Sequence, residues 1–489
     1  MKYTTLFADA YIEAKRHQTV PKYRPKFHLT PPIGWMNDPN GFVYYQGAFH
    51  VFYQFHPYDS RWGPMHWGHA SSYDLITFKH LPVALAPDMK EEHGCFSGGA
   101  IVDPHDPKRL YLTYTMHYEN GEIRQRQNIA TSIDGLKFIK KDVPILTELD
   151  LPTTASISEF RDPKPLYIDG HFYLLVGSSS NGVGQILVYR SQDLVKFDYH
   201  FTIGPNRYFG VMAECPDLAR ISNHDVLIVS STKLKSDQGK FQNINSSLAF
   251  IGTFDLANRK YQIDAIQEID RGHAFYAPQL TQAPNQDIIM TAWMNMWDKP
   301  NFTDIEQHGW SGSLILPRVL SIKNGLIYQR PIASIDKYIK NELAPLNNAI
   351  VPKTGIWFVK MDQRAFWEWR FENIDNPSDY ISISTHDGFV IVDASNVVDY
   401  PLEARKSLYR YSNDVELRLI IDTSSFELFI EDGRETITTL AYLNCDSYRL
   451  CFIGDQLLIM SHKFASLDIN NPEVNDEKNR ANNDNIVHI

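Results

Sequence analysis

The sequence predicts an all-β protein, a five-bladed β-propeller followed by a β-sandwich. Short apolar or alternating runs bounded by turn residues dominate the chain before residue 330, and they are too short for helices. A weak internal repeat divides this part into five similar segments. After residue 351 a second set of clearly alternating strands begins, which is typical of a sandwich.

The strands of the first part are predicted from composition and length. Each run is rich in aromatic and β-branched residues and ends at turn residues. The clearest runs cover 49–55, 109–115, 171–178, 225–231 and 287–294. Aromatic residues make up 13% of the chain, which favours both β structure and a site that stacks sugar rings.

The repeat predicts the propeller and the position of its site. Each segment has a polar or acidic start, a short strand, a turn and a stronger strand, and the spacing suits a four-stranded blade with long loops. The segments start at Asp38, Ser97, Asp162, Glu214 and Tyr276. Equivalent positions on the inner strands of a propeller converge on its axis, so these five residues are expected to surround one pocket. The competing interpretation is that the acids only cap turns.

The domain boundaries follow the change in texture. We expect the catalytic propeller over 1–325, a linking helix over 326–350 and the sandwich over 351–468. The segment 469–489 is polar and poor in apolar residues, so a disordered tail is expected there.

Composition restricts the partners and the compartment. The formal net charge of -11 argues against a nucleic acid or an anionic membrane as the main partner. The four cysteines form no CxxC pair, and neither a signal peptide nor a long apolar run is evident, so a reduced cytoplasmic protein is expected. The sequence leaves the oligomeric state open.

The chemistry points to cleavage of glycosidic bonds. Retaining hydrolysis needs two carboxyl groups about 5–5.5 Å apart, one as nucleophile and one as acid/base. A third carboxylate can strengthen hydrogen bonds to the ring hydroxyls in the transition state. Asp38, Asp162 and Glu214 can supply these three roles, but the repeat does not tell which acid has which role.

Three motifs resemble glycoside hydrolase family 32, the invertases and sucrose-6-phosphate hydrolases. They are Trp35-Met-Asn-Asp-Pro-Asn-Gly41, Phe160-Arg-Asp-Pro163 and Glu214-Cys-Pro216, in that order along the chain. The resemblance covers about residues 25–465 and implies a five-bladed propeller with a β-sandwich. It also implies hydrolysis of terminal β-D-fructofuranosides, with sucrose 6-phosphate or sucrose as the substrate and with neither metal nor cofactor.

The resemblance assigns the roles. Asp38 matches the nucleophile, Glu214 the general acid/base and Asp162 the transition-state stabiliser, while the adjacent Arg161 would hold carboxylates or hydroxyls in place. Asp38 should stay ionised at neutral pH through hydrogen bonds from Asn37, Asn40 and backbone amides. Glu214 must hold a proton, which apolar neighbours and two nearby negative charges would favour.

Further residues in these motifs are expected to bind the substrate. They provide polar contacts and aromatic walls around the sugar: Trp35, Asn37, Gln54, Trp62, Phe96, Ser97, Arg161, Tyr276 and Trp293. For the aromatic members, simple core packing is a serious alternative.

The sequence departs from the family pattern at two places and leaves three alternative functions open. Gly99 stands where the family often has Ser, which would loosen that loop, and His273-Ala274 stands where an acid is common, which could alter the leaving-group side. The same three acids would also serve an exo-fructanase on inulin- or levan-type chains, or a transfructosylase. A propeller that binds carbohydrate without catalysis is the alternative from another class.

Overall fold

The computed structural model describes residues 3–119, 121–342 and 344–467. Strands dominate these residues, which confirms the all-β prediction. The helical elements of the described residues are short: α1 Thr5–Lys15, α2 Phe302–Ile305 and the 3-10 helices Arg16–Gln18, Glu148–Asp150, Arg207–Phe209, Ala333–Tyr338 and Gln456–Leu458.

Five antiparallel sheets follow one another through the first part of the chain. The first holds β1 Gly34–Tyr45, β2 Ala48–His56, β3 His66–Ser72 and β4 Lys79–Leu85. The second holds β5 Gly94–Val102, β6 Leu110–Glu119, β7 Ile123–Ser132 and β8 Ile139–Lys140. The third holds β9 Phe160–Ile168, β10 His171–Ser180, β11 Val183–Ser191 and β12 Asp198–Ile203. The fourth holds β13 Ala213–Ile221, β14 His224–Thr232, β15 Asn245–Asp255 and β16 Lys260–Glu268. The fifth holds β17 Tyr276–Gln282, β18 Ile288–Trp293, β20 Arg318–Lys323 and β21 Leu326–Pro331.

The first strands of the five sheets form a closed cycle. β1 contacts β5, β5 contacts β9, β9 contacts β13, β13 contacts β17, and β17 contacts β1 again. A further short strand, β19 Trp310–Ser311, pairs in parallel with the start of β1, with Trp310 opposite Gly34. We call β1, β5, β9, β13 and β17 the inner strands.

The middle strands are continuous apolar runs because both of their faces are covered. Along β10, Leu174 and Val176 pack into a core shared with the second sheet, where they join Ile129. Their neighbours Tyr173 and Leu175 pack into a separate core shared with the fourth sheet. Burial on both faces explains why the sequence shows no alternation here.

Two six-stranded sheets form the second part. One holds β22 Ile339–Glu342, β24 Thr354–Asp362, β29 Asp414–Asp422, β30 Ser425–Ile430, β31 Glu435–Leu440 and β33 Ile459–Leu467. The other holds β23 Ile350–Pro352, β25 Glu368–Asn373, β26 Tyr380–His386, β27 Phe389–Ala394, β28 Leu402–Lys406 and β32 Ser447–Ile453. Their aromatic residues meet between them, as in the edge-on pair of Trp357 and Trp369. The same core continues into the fifth sheet through Met290 and into β19 through Trp310.

A buried polar network also joins the two parts. Arg318 of β20 is fully buried and binds Asp270 over 2.9 Å and Glu427 of β30 over 2.6 Å. His28 lies 2.8 Å from both Glu427 and Asp422 through its two ring nitrogens. Burial opposes the charge on His28, but the two carboxylates raise its pKa to about 9.

The segment between the two parts differs from the expected linking helix over 326–350. Its first residues form β21, the outer strand of the fifth sheet. Only Ala333–Tyr338 is helical, as a 3-10 helix, and β22 already pairs with β33 of the second part. Strand pairing with distant partners therefore overrides the helical pattern of this segment. The tail expected at 469–489 lies outside the described residues.

Candidate active site

The inner strands carry the five residues at which the repeat begins. Asp38 lies on β1, Ser97 on β5, Asp162 on β9, Glu214 on β13 and Tyr276 on β17. The first parts of these strands are largely buried. Hydrogen bonds join Ser97 to Asp38 and Tyr276 to Glu214, and the Cys215 thiol links Asp38 to Asp162. The structure thus brings together the residues that the repeat selects.

A β-bulge follows the site residue on most of these strands. The register with the second strand shifts between Phe96 and Gly98 on β5, between Glu214 and Asp217 on β13, and between Tyr276 and Gln279 on β17. Similar shifts interrupt β1 and β9. A bulge ends regular pairing and re-aims side chains, so it turns these groups towards the common pocket.

The backbone is strained at three of these bulges. The φ angle is 64° at Asp162, 46° at Cys215 and 50° at Ala277. These values lie in the left-handed region, which non-glycine residues rarely adopt. Such strain is concentrated at functional sites, where the surrounding structure holds it in place.

Asp38 is a buried carboxyl with few partners. Ser97 donates a hydrogen bond of 3.0 Å to its Oδ2, while Oδ1 is buried without a partner in the described residues. Burial, together with the charges of Glu214 and Asp162, raises the pKa of Asp38 to about 7, against the lowering effect of Asn37 and Ser97. Burial thus brings the pKa of Asp38 close to neutral pH, and the hydrogen bonds do not keep it fully ionised there as expected.

Asn40 does not support Asp38 as expected. Its side chain lies against the backbone N–H of Gly98 and the amide of Gln54 instead. Gln54 donates in turn to the Cys95 carbonyl over 3.0 Å. Asn40 and Gln54 thus join β1 and β2 to β5, and they fix the backbone around the pocket.

Asp162 is held by the backbone of the neighbouring inner strand. The N–H of Cys215 donates to its Oδ2 over 2.9 Å, and the Cys215 thiol lies 3.6 Å from the same oxygen. That thiol is also 3.9 Å from Oδ2 of Asp38, so one sulfur atom contacts both carboxyls. Burial raises the pKa of Asp162 to about 6, with Glu214 adding to the rise and Arg161 opposing it.

Glu214 has polar partners rather than the apolar ones expected. Arg161 donates to its Oε1 from Nε over 3.2 Å and from Nη2 over 2.6 Å. Tyr276 donates to Oε2 over 2.5 Å. Arg161 also binds Glu159 and, over 3.3 Å, Gln125, so the guanidinium is fixed from several sides.

Aromatic residues form part of the pocket wall. Trp35 donates from its indole N–H to Asn37 over 2.7 Å, which fixes both side chains. Phe96 stacks face to face on His117 with ring centroids 4.1 Å apart, and Trp62 stands edge-on to Phe96 with half of its surface exposed. Trp62 therefore lies at an open edge beside Phe96.

Trp293 does not fit the predicted sugar contact. It is completely buried, 6.0 Å from Trp35 between ring centroids. Trp297, which the sequence reasoning missed, is 42% exposed and stacks on Trp35 at 6.3 Å with an interplanar angle of 25°. Trp293 supports this pair, and Trp297 offers the free surface. In the sequence, Trp297 stands shortly after an apolar strand and directly before Asp-Lys-Pro, and this position was the available sign of an exposed indole.

The two departures from the family pattern have different surroundings from those expected. A Cβ on Gly99 would lie 2.7 Å from Pro165 Cδ, so the absence of a side chain allows close packing rather than loosening the loop. His273 faces the second part of the chain, with Nδ1 3.1 Å from Thr439 Oγ1. Among the contacts of its side chain, none reaches the three carboxyls within the described residues.

The part of the chain that the structure describes holds neither a metal-binding cluster nor a membrane-spanning helix. Within residues 3–119, 121–342 and 344–467, no group of three or more His, Cys, Asp or Glu is arranged to hold a metal ion. No helix of the same residues is long and apolar enough to cross a membrane.

Asp38 and Asp162 are buried, Glu214 is partly buried in its arginine clamp, and exposed indoles stand beside them. This combination is typical of a glycoside hydrolase, and the protein is one. The chain belongs to glycosyl hydrolase family 32. The profile of the family's N-terminal domain matches residues 28–331, and that of its C-terminal domain matches residues 381–468.

Relatives extend over nearly the whole chain. Raffinose invertase of Escherichia coli is 33% identical over 467 residues, which are 91% of this chain and 95% of that protein. Sucrose-6-phosphate hydrolase of Escherichia coli is 34% identical over 461 residues, 89% of this chain and 92% of that protein. The solved GH32 β-fructofuranosidase of Bombyx mori is similar with a TM-score of 0.85 at 32% identity, over 95% of this chain and 98% of that one.

Proposed function

We propose that the protein hydrolyses terminal non-reducing β-D-fructofuranosides with retention of configuration, and that sucrose 6-phosphate or sucrose is its substrate. The observation that carries this is the contact of one Cys215 thiol with both Asp38 and Asp162, beside a Glu214 held by Arg161 and Tyr276. The names of the Escherichia coli relatives support the choice of substrate.

In the first step the ionised carboxylate of Asp38 attacks the anomeric carbon of the fructosyl unit. The bond from that carbon to the glycosidic oxygen breaks, and the oxygen takes the proton of Glu214 as the glucose part leaves. Asp162 accepts hydrogen bonds from fructosyl hydroxyls, which strengthen as positive charge develops on the ring.

In the second step water replaces the leaving group. Glu214, now ionised, takes a proton from this water, whose oxygen attacks the anomeric carbon. The bond to Asp38 breaks, and fructose leaves with its original anomeric configuration. Both steps invert the carbon, so the whole reaction retains its configuration.

Substrate contacts are proposed for the walls of the pocket. Asn37, Ser97 and Arg161 would fix polar groups of the sugar, and Trp35, Phe96 and Trp62 would form its apolar walls. Trp297 is added to this set because its exposed indole stacks on Trp35. Sugar rings pack their C–H faces on aromatic rings, so an exposed indole at the pocket favours the sugar.

The fold assignment behind this proposal is a five-bladed propeller. The closed cycle of contacts among the inner strands supports it, as does the parallel pairing of β19 with β1, which joins the end of the cycle to its start. We assign the propeller to residues up to β21 and the sandwich to residues from β22 onward.

A cytoplasmic location is proposed from the cysteines. All four, Cys95, Cys215, Cys445 and Cys451, have free thiols, and two of them are fully buried. Thiols persist in this state in a reducing compartment.

Asp38→Ala and Glu214→Ala variants test the roles. Each should lose at least about 10³-fold in kcat on sucrose and on sucrose 6-phosphate while keeping its circular dichroism spectrum, since both side chains act in the chemical step. Asp287→Ala, in an exposed turn of the fifth sheet, is the matched control. Near-normal turnover by either variant would refute the assignment.

Two measurements on the wild-type enzyme complete the test. Proton NMR during early turnover should show the β-anomer of fructose forming first, because the proposed route retains configuration. Rates on sucrose, sucrose 6-phosphate and inulin then separate the substrates. A higher kcat/KM on inulin than on both sucrose compounds would favour the exo-fructanase.

A further inference from the structure

One ion pair connects three inner strands at positions that follow the site residues along each strand. Lys164 of β9 donates from Nζ to Asp217 Oδ2 of β13 over 2.7 Å and to the carbonyl of Leu280 of β17 over 3.2 Å. The N–H of Leu280 donates to the same Asp217 oxygen over 2.9 Å. Two donors, the Lys164 ammonium from β9 and the Leu280 N–H from β17, therefore meet at one carboxylate oxygen of β13.

These three strands are the ones that carry Asp162, Glu214 and Tyr276. On each strand the connected residue follows the site residue after the β-bulge or directly beside it. The inner strands of neighbouring sheets are not paired in a common ladder, since each belongs to a separate sheet. Their spacing therefore depends on side-chain contacts between sheets, and this ion pair is such a contact.

The ion pair is shielded from solvent. The Lys164 side chain is 10% exposed and that of Asp217 is 1% exposed. Lys164 and Asp217 also line a cavity of about 1030 Å³, together with later residues of the inner strands and residues 253–257, and none of the three carboxyls lines it. Separating the two groups would leave a largely buried charge without its partner, which is strongly unfavourable.

Gly99 makes room for the pair. A Cβ at this position would lie 3.1 Å from Lys164 Cδ and 2.7 Å from Pro165 Cδ. Any side chain here would push the lysine stem or the proline ring away from β5. The absence of a side chain at Gly99 thus allows Lys164 to follow its path to Asp217.

We propose that Lys164 and Asp217 are positioning residues that set the spacing of Asp162, Glu214 and Tyr276 for the transition state. This inference rests on the proposed function of the three acids. Neither Lys164 nor Asp217 touches the sugar in this proposal. They act through the strands that carry the groups which do.

The position of the pair predicts an effect on kcat rather than on KM. Trp35, Asn37 and Ser97, which would hold the substrate in the ground state, lie on β1 and β5, and the pair contacts neither strand by a hydrogen bond. Asp162 and Glu214 act most strongly on the transition state. Their displacement should therefore slow turnover and leave substrate binding intact.

The first test is Lys164→Met, assayed on sucrose. We expect kcat to fall by about 10²-fold while KM changes by less than about threefold, as for a small misplacement of reacting groups. Arg220→Met is the matched control, because Arg220 forms an ion pair of 2.7 Å with Asp225 on the same sheet with its own side chain 65% exposed. This control should keep wild-type kcat.

The second variant separates positioning from stability. A Lys164→Met/Asp217→Leu double variant replaces the buried ion pair with apolar side chains, which often leaves the stability unchanged or higher. We expect its midpoint of thermal unfolding to equal or exceed that of the wild type, while its kcat stays low. If the single variant fails to fold, the kcat of the folded double variant tests the positioning role.

Two results would overturn the inference. One is wild-type kcat in the folded double variant, which would make the pair purely structural. The other is a rise in KM equal to the fall in kcat/KM, which would place its effect on substrate binding. Failure of the proposed function itself would be recognised separately, by turnover in Asp38→Ala or Glu214→Ala.

Discussion

The Tyr276 hydroxyl donates a hydrogen bond of 2.5 Å to Oε2 of Glu214, on the carboxyl oxygen that Arg161 leaves free. Tyr276 is fully buried, and burial together with the charge of Glu214 raises the pKa of its phenol well above the ordinary value. The phenol thus stays protonated and remains a donor. Both oxygens of the proposed acid/base are oriented by groups from the two neighbouring inner strands.

Tyr276→Phe should therefore lower kcat/KM on sucrose by about tenfold to a hundredfold, because a hydrogen bond to a charged group contributes about 1.5–3 kcal/mol. The loss is measured by steady-state kinetics at the pH of maximal rate. Tyr189→Phe is the matched control, since its hydroxyl is bound to the Asp150 carbonyl away from the pocket. Equal rates for Tyr276→Phe and the wild type would show that the hydrogen bond has no role in turnover.

Ser97→Ala should shift the acid limb of the pH dependence of kcat/KM to higher pH. The proposed nucleophile must be ionised, its pKa is raised to about 7, and the hydrogen bond from Ser97 lowers that pKa. Without the hydroxyl the pKa of Asp38 rises further, so the rate increases only at higher pH.

Asp162→Asn should shift the acid limb in the opposite direction. The charge of Asp162 raises the pKa of Asp38, so its removal should move the acid limb of the remaining activity to lower pH. An acid limb that stays in place in both variants would mean that a group other than Asp38 controls it.

Asp38→Asn should stabilise the folded protein at high pH. The pKa of Asp38 is 3.8 in the unfolded chain and about 7 in the folded chain, so the folded chain binds this proton more tightly. The resulting stability is complete below about pH 3.8 and is lost as the pH rises through about 7. The neutral variant does not suffer this loss.

The gain is read from thermal unfolding at several pH values. At pH 8 the thermal midpoint of Asp38→Asn should lie above that of the wild type. The corresponding gain in the free energy of unfolding is a few kcal/mol, at roughly 1.4 kcal/mol for each unit of pKa. The difference should shrink towards pH 4. Asp287→Asn, in an exposed turn, should show no such trend, and a constant difference across pH would contradict the account.

His28→Gln should destabilise the protein most at low pH. The folded pKa of His28 is about 9 against 6.5 in the ordinary state, so its contribution is complete below pH 6.5 and is lost as the pH rises through 9. Removing one partner of a buried ion pair costs about 3–5 kcal/mol. Urea unfolding at pH 6 should show a loss of this size that narrows towards pH 10.

The exposed His386 is the control for that experiment. Its side chain is 70% exposed and lies 3.4 Å from Asp387, so His386→Gln should change the free energy of unfolding little at any pH. A loss in His28→Gln that is independent of pH would show that packing, rather than charge, holds His28 in place.

The fold and the pocket could be predicted because they depend on local patterns. The five apolar runs are the second strands of the sheets, and the polar residues that begin the repeats, from Asp38 to Tyr276, lie on the five inner strands before them. The acids also stand in motifs that are specific enough to suggest their roles. Such signals are carried by neighbouring residues and need no knowledge of distant contacts.

The remaining features depend on contacts between distant parts of the chain. The pKa of Asp38 is set by burial and by acids on other strands, so its motif does not reveal it. Trp293 is buried in a cluster with Trp35 and Tyr276, whereas Trp297 stays 42% exposed, and this difference comes from packing between distant strands. The segment 326–350 has an apolar spacing that suits a helix, yet 326–331 and 339–342 form strands paired with β20 and β33.

The contacts of Asp422 and Glu427 have a consequence for how the chain can be divided. Both acids are buried in the second part, and the cations that neutralise them, His28 and Arg318, come from the first part. A second part produced by itself would lose both counter-ions and would expose to water the face on which they sit, with apolar residues of the shared core. The two parts are therefore expected to fold together and not as separable modules.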